Sequence, residues 1–367
     1  MCRSCALRAQ KSFVFGSQLL QRRAFTASSS QQKRAGPPVF DETSTPALDN
    51  VLATLRDKHL IPAYLNDRQR HLVFGDKFKT ELDNNPAYAT LGDEEVQLRH
   101  MNRRVDIPAL SPLIAKALSL MQDSQDWKQS PALLEGLRKG GHVRTRHAEK
   151  LVRKAIQADQ LGVVIRCLNR SAATGLTLKH DNILSLVMWG LHEHAQKDSW
   201  DEARVRKAQR YGDMIAELLE SDDHGSARRL GANDPRTRPA VIAVYLEISA
   251  VLAERYQGGK DVDGSVLKYA TRLMANFNQK SEPAEEPLPK AGLQTEFLAK
   301  LPIWHGLSLA KKILGDSLPQ ASSAAQIIST YEARLVTLAA QLREQNKTKP
   351  GFYAAQALEA WESALRN

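Results

Sequence analysis

The chain has 367 residues, with 51 Lys and Arg against 41 Asp and Glu, a formal charge of +10, and three cysteines. No apolar run approaches the roughly 18 residues of a membrane-spanning helix. Only Cys167 lies beyond the first 32 residues, which excludes an internal disulfide or a cysteine-built zinc site there.

Residues 1–32 hold five basic residues (Arg3, Arg8, Lys11, Arg22, Arg23), no acid, and many Ser and Gln. That is the composition of a mitochondrial transit peptide. Leu7, Phe13, Val14, Leu19 and Leu20 can gather on one side of a short helix, with most cations elsewhere. A secretory signal needs an unbroken apolar core, and Lys11, Ser12, Gly16, Ser17 and Gln18 interrupt every such run. The segment from Arg23 to Ser28 resembles a two-step processing pattern. On that resemblance a first cut falls between Ala24 and Phe25, and a second between Gln32 and Lys33. The leader carries half of the formal charge, so the remainder is only about +5. Such an excess is a weak argument for nucleic acid by itself. The expected address is the mitochondrial matrix, with peripheral contact to the inner membrane left open.

Residues 33–110 are expected to be extended or irregular around one helix. That helix covers 47–58, with Thr45 as its cap and Pro46 at its first position. Residues 88–91 and 96–98 form the only strand candidate, a small hairpin turning at 92–95. From 111 to 279 the pattern is helical. Apolar residues recur at steps of three and four over 113–121, 145–158, 161–173, 182–195, 201–219, 240–256 and 262–277. Residues 280–295 open with three prolines in eleven residues and are expected to be a linker. Residues 296–367 return to helices, interrupted at Gly315, Pro319 and 349–351. Helical pairs begin near 143, 180 and 239, so the expected fold is all-α, with hairpins stacked as a short solenoid. An irregular all-α bundle is the alternative.

Residues 148–178 (AEKLVRKAIQADQLGVVIRCLNRSAATGLTL) resemble one pentatricopeptide- or tetratricopeptide-like unit: helix, short turn, helix, then Gly-Leu. The tetratricopeptide Trp and Tyr positions are absent, and no nucleotide-reading positions carry over.

The strongest functional candidate is a basic cluster. Arg138, Lys139, Arg144, Arg146, Lys150, Arg153 and Lys154 stand against the single acid Glu149, and Arg166 and Arg170 extend it on the next helix. Such a cluster neutralises phosphates and makes binding salt-dependent. A solvated face and an anionic lipid surface are the competing readings. Aromatics for base stacking are missing from the cluster, so it offers no sequence-specific reading of single strands. His192-Glu193-His194 looks like a metal motif. Residues two apart on a helix point about 200° away from each other, so the two imidazoles cannot share one ion. Gly258-Gly259-Lys260 lacks the spacing of a phosphate loop, and no nucleophile motif is present. Cys167 sits in an apolar run and reads as a buried thiol, and the five tryptophans read as anchors between helices.

The sequence thus points to a non-catalytic mitochondrial protein without a cofactor. Its expected role is in mitochondrial gene expression, as a ribosome component or an RNA- or ribosome-associated factor. The alternative is an assembly factor or scaffold that holds a respiratory-complex subunit in a helical groove.

Overall fold

A computed structural model describes residues 36–141, 145–225, 234–277, 290–348 and 352–365. The leader with its expected cleavage positions Ala24, Phe25, Gln32 and Lys33, Arg144, and residues 278–289 lie outside the described residues.

Helix α1 (Pro46–Leu55) starts as expected: Thr45 Oγ1 accepts the Leu48 N–H at 3.3 Å, and Pro46 takes the first helical position. A π-helical turn (Arg56–Leu60) leads into α2 (Ile61–Tyr64). Helix α3 (Asp67–Phe74) opens on a reciprocal cap between Asn66 and Gln69, with bonds of 2.9 and 3.0 Å. Helix α4 (Lys79–Asn84) feeds the hairpin of β1 (Ala87–Leu91) and β2 (Glu94–Leu98). Leu91 pairs with Glu94 and Ala87 with Leu98, so the turn is two residues rather than the four expected. Gly92, at φ +69°, makes it possible, because a positive φ at the first turn position matches the twist of the strands. The hairpin's inner side chains, Ala89, Leu91 and Leu98, join Ile61, Leu65, Val73 and Leu82 in a small satellite core.

The helical body follows. Helix α5 (Leu110–Leu120) buries Ile114, Ala117 and Leu118. The short α6 (Ser124–Trp127) and α7 (Ser130–Lys139) come next. Buried Asp126 in α6 clamps the N-terminal segment. It accepts the Ser44 N–H (2.8 Å) and hydroxyl (2.7 Å) and the N–H groups of Gln122 and Asp123. Burial pushes this carboxyl up, and the four donors outweigh that and hold it below its ordinary value.

Helices α8 (Thr145–Gln157) and α9 (Leu161–Asn169) pair around a turn at Asp159. The second helix was expected to run to 173. It breaks at Arg170 and restarts as α10 (Ser171–Thr174). The Thr174 hydroxyl accounts for the break, because it donates to the Cys167 carbonyl at 2.8 Å, the acceptor that the Ser171 N–H would use in a continued helix. Helices α11 (Asp181–Trp200), α12 (Glu202–Leu219), α13 (Pro239–Tyr256) and α14 (Ser265–Asn276) follow. Helix α14 starts three residues later than expected, because Asp261 caps it by accepting the N–H groups of Val266 and Leu267.

Helices α15 (Lys290–Leu314), α16 (Ala321–Thr348) and α17 (Phe352–Leu365) complete the chain. The expected linker at 280–295 is therefore corrected at its C-terminal end. Residues 290–295 belong to α15, and Leu293 is already buried. One apolar core runs from Leu48 to Ala364, across the expected boundary.

The all-α class holds, with one hairpin. Among the described residues the repeat resemblance at 148–178 is not matched by a second helical pair of the same size. Helices α8 and α9 have 13 and 9 residues, whereas α11 runs regularly for 16, over 181–196, before a kink, and α12 has 18. Helix α17 also returns to touch α11, α15 and α16 rather than only its predecessor. Helix α13 is buried around its whole circumference, with twelve residues buried between Val241 and Ala253, all apolar but Glu247 and Ser249. It packs on α11, α12, α14 and, most extensively, α15. Gly306 permits that last approach, since a Cβ there would lie 3.1 Å from the Glu247 backbone nitrogen.

Candidate nucleic-acid interface

The sequence groups His192, Glu193 and His194, and the fold separates them. His192 Nδ1 meets Glu247 Oε2 at 2.6 Å, and His305 Nδ1 meets Glu247 Oε1 at 2.7 Å. All three are buried and join α11, α13 and α15. Trp189 stacks on His192 (4.6 Å between centroids), and Trp200 and Trp304 lie against His305. Burial pushes the Glu247 carboxyl up, but the two imidazoles outweigh it and bring it down to about 2. This cluster is the polar centre of the core.

His194 faces away, its Nδ1 2.7 Å from Asp159 Oδ1. Asp159 also accepts from Lys197 Nζ at 3.0 Å and the Arg204 guanidinium at 2.7 Å. Those three donors overcome its burial and hold Asp159 far below the usual carboxylate range. Glu193, between the two clusters, goes the other way. Burial raises it to about 7, partly offset by His192 and reinforced by Asp159 and Glu359. The backbone beyond it is strained, with Asp198, Ser199 and Trp200 all at positive φ. The buried Trp200 ring, the Arg204–Asp198 bond (2.7 Å) and the Arg255 bond to the Ser199 carbonyl (2.6 Å) hold the strained turn. Cys167 is buried, and its thiol is pushed up to about 12, chiefly by burial.

The described basic residues fall in four settings. Arg146, Lys150, Arg153 and Lys154 are exposed on α8, opposite the buried stripe Ala148, Leu151, Val152, Ala155 and Ile156. Arg146 also donates to Ser111 Oγ at 3.2 Å, and Glu149 accepts from Asn182. Arg138 and Lys139 are exposed at the end of α7. Arg138 reaches the Ser171 carbonyl at 3.5 Å, and Lys139 lies 5.8 Å from the Tyr64 ring centroid. Arg170 is engaged within the fold, 2.8 Å from Glu135. Arg166 stands apart from α8 and lines a groove with α12.

That groove was not foreseen. It holds about 720 Å³, and its walls carry Lys128, Arg166, Arg204 and Lys207 above Tyr211. The sequence held one signal for it: Ala203, Lys207, Arg210 and Met214 recur at steps of four, three and four, which places them on one stripe of α12. The cavity beneath the N-terminal segment, about 910 Å³, is lined by Asp41, Glu42, Asp49, Asp93 and Glu94, with Arg56 the one cation in its lining and paired with Glu94. Among the described residues, no cluster of three or more His, Cys, Asp or Glu could hold a metal ion, and no helix is long and apolar enough to cross a membrane.

The chain is similar to the small ribosomal subunit protein mS27 of Neurospora crassa, at 29% identity over 238 residues. That match takes in 62% of this chain and 60% of the relative's length. Residues 23–363 match the family described as mitochondrial ribosomal protein mS27. With nearly its whole length matched, the chain belongs to the mitochondrial ribosomal protein mS27 family.

Proposed function

We propose that this protein is a non-catalytic component of the small subunit of the mitochondrial ribosome, acting in mitochondrial translation from the matrix. The observation that carries this reading is the family match over residues 23–363. The Neurospora crassa relative, named as a small ribosomal subunit protein, supports it over the shared 238 residues. The acid-free, Arg-rich leader is consistent with delivery to the matrix.

The exposed face of α8, with Arg146, Lys150, Arg153 and Lys154, is the proposed ribosomal contact, and Arg138, Lys139 and Arg144 precede it in the sequence. Its partner is a phosphate backbone, because the face offers cations at helical spacing and no aromatic platform. The role asks nothing of an active site. The two carboxylates held furthest below their ordinary range, Glu247 and Asp159, are consumed in internal hydrogen bonds.

Affinity purification of the tagged chain from mitochondria tests the proposal. Small-subunit ribosomal RNA should be recovered, and recovery should fall as salt rises. Recovery of respiratory-complex subunits without ribosomal RNA would favour the scaffold alternative instead. Replacing Arg146, Lys150, Arg153 and Lys154 by Glu should reduce RNA recovery at least about tenfold, as expected for several lost phosphate contacts. Unchanged recovery would leave α8 as a solvated face.

A further inference from the structure

The groove between α9 and α12 has a chemistry that the α8 face lacks. Its walls are two helix stripes, Gly162, Arg166 and Asn169 on one side and Ala203, Lys207 and Met214 on the other. The exposed Arg210 continues the second stripe between Lys207 and Met214. Lys128 stands at the rim, its Nζ donating to Gln125 Oε1 at 2.8 Å. Cations one helical turn apart, about 5.4 Å along the axis, form a track rather than a point site.

The one acid in the lining does not oppose an anion. Asp159 is neutralised by His194, Lys197 and Arg204. The floor is the Tyr211 ring, with the Lys207 ammonium 5.6 Å from its centroid. The Tyr211 hydroxyl reaches across to α9 because residue 162 is glycine. A Cβ there would lie 2.6 Å from that oxygen. The floor thus supplies a phenolic donor beneath the flanking cations.

We propose that this groove is a docking surface for the phosphodiester backbone of single-stranded RNA. The inference rests on the ribosomal reading above and names a second contact within it. Charge complementarity selects a polyanion. The recess holds about 720 Å³, room for a few nucleotides of one strand rather than for a duplex. A lipid surface fits poorly, because Met214 is the one exposed large hydrophobic side chain in the lining.

The test uses the full chain, a fluorescently labelled single-stranded oligouridylate 12-mer and anisotropy titrations between 50 and 200 mM KCl. Three phosphate contacts give a log–log salt slope of about −2, so affinity should fall about 20-fold over that range. The triple variant Lys128→Glu, Arg166→Glu, Lys207→Glu should bind at least about tenfold more weakly at 50 mM, with a log–log salt slope shallower by about two, the share of three contacts. All three side chains are exposed, so its thermal midpoint should match the parent's. The triple Gln variant, which adds no repulsion, should show a smaller loss in the same direction. Equal binding by both variants, no binding by the parent at 50 mM, or equal affinity for polyglutamate would each overturn the proposal. If the parent fails to purify with ribosomal RNA, the ribosomal reading itself fails. If it purifies with that RNA and only the oligonucleotide titration fails, the groove alone is refuted.

Discussion

Replacing Glu247 with Gln is the sharpest test of how this fold is held together. Each carboxylate oxygen of Glu247 accepts from one imidazole, His192 at 2.6 Å and His305 at 2.7 Å, in a fully buried site. Glutamine keeps the volume but retains one acceptor oxygen, and its amide donor then faces an imidazole N–H. One hydrogen bond to a charged group is lost, worth about 1.5–3 kcal/mol, and a buried donor is left unpartnered at about 1–3 kcal/mol. The expected destabilisation is about 3–5 kcal/mol, the range for breaking a buried ion pair. At roughly 2 °C per kcal/mol for a large domain, the thermal midpoint should fall by about 6–10 °C. Differential scanning calorimetry of the parent and Glu247→Gln measures this, with exposed Glu217→Gln as a control expected within about 0.5 kcal/mol. A fall of less than about 2 °C would refute the claim that the triad ties α11, α13 and α15 together.

The same carboxylate sets an acid limit. Its folded-state value is about 2 against an ordinary 4.5, so its stabilisation is complete above pH 4.5 and fades as pH falls towards 2. The midpoint difference between parent and Glu247→Gln should therefore shrink over that window, and a difference constant down to pH 2 would contradict the assignment. Glu193 predicts the opposite sense. Because burial raises it to about 7, it costs stability as pH climbs from 4.5 through 7. Glu193→Gln should raise the midpoint at pH 8 and leave it nearly unchanged at pH 4, and equal shifts at both values would count against this. Gly306→Ala should destabilise by about 1–3 kcal/mol, because its Cβ meets the α13 backbone rather than a yielding side chain. A neutral result in denaturant titration would show that α15 can withdraw from α13.

The parts of the fold written in local chemistry were legible. The Thr45 cap, the small hairpin and the apolar stripe of α8 follow from spacing over a few residues. The separation of His192 from His194 followed from helix geometry alone, although their partners did not. Glu247 lies 55 residues from His192 and 58 from His305, and nothing local announces the triad beyond an acid inside the apolar run of α13. The break at Arg170 turns on one side-chain bond that helical periodicity does not register, from Thr174 four residues on, whereas the left-handed turn at 198–200 is held by the buried Trp200 ring, Arg204 and the distant Arg255. The residues of the basic cluster are close in sequence and suggest one surface. The fold divides it: α8 keeps four cations exposed, Arg170 pairs with Glu135, and Arg166 turns to face α12. Lys128 and Lys207 join Arg166 there from elsewhere in the chain, which is why the groove was invisible to a linear reading.

Sedimentation of mitochondrial lysate through a density gradient at low salt tests most directly whether the chain is a ribosomal component. The predicted result is a peak of the chain that coincides with the small ribosomal subunit, persists after gentle washing and shifts to light fractions as salt is raised. A chain that stays in light fractions at low salt, free of the small subunit, would contradict it.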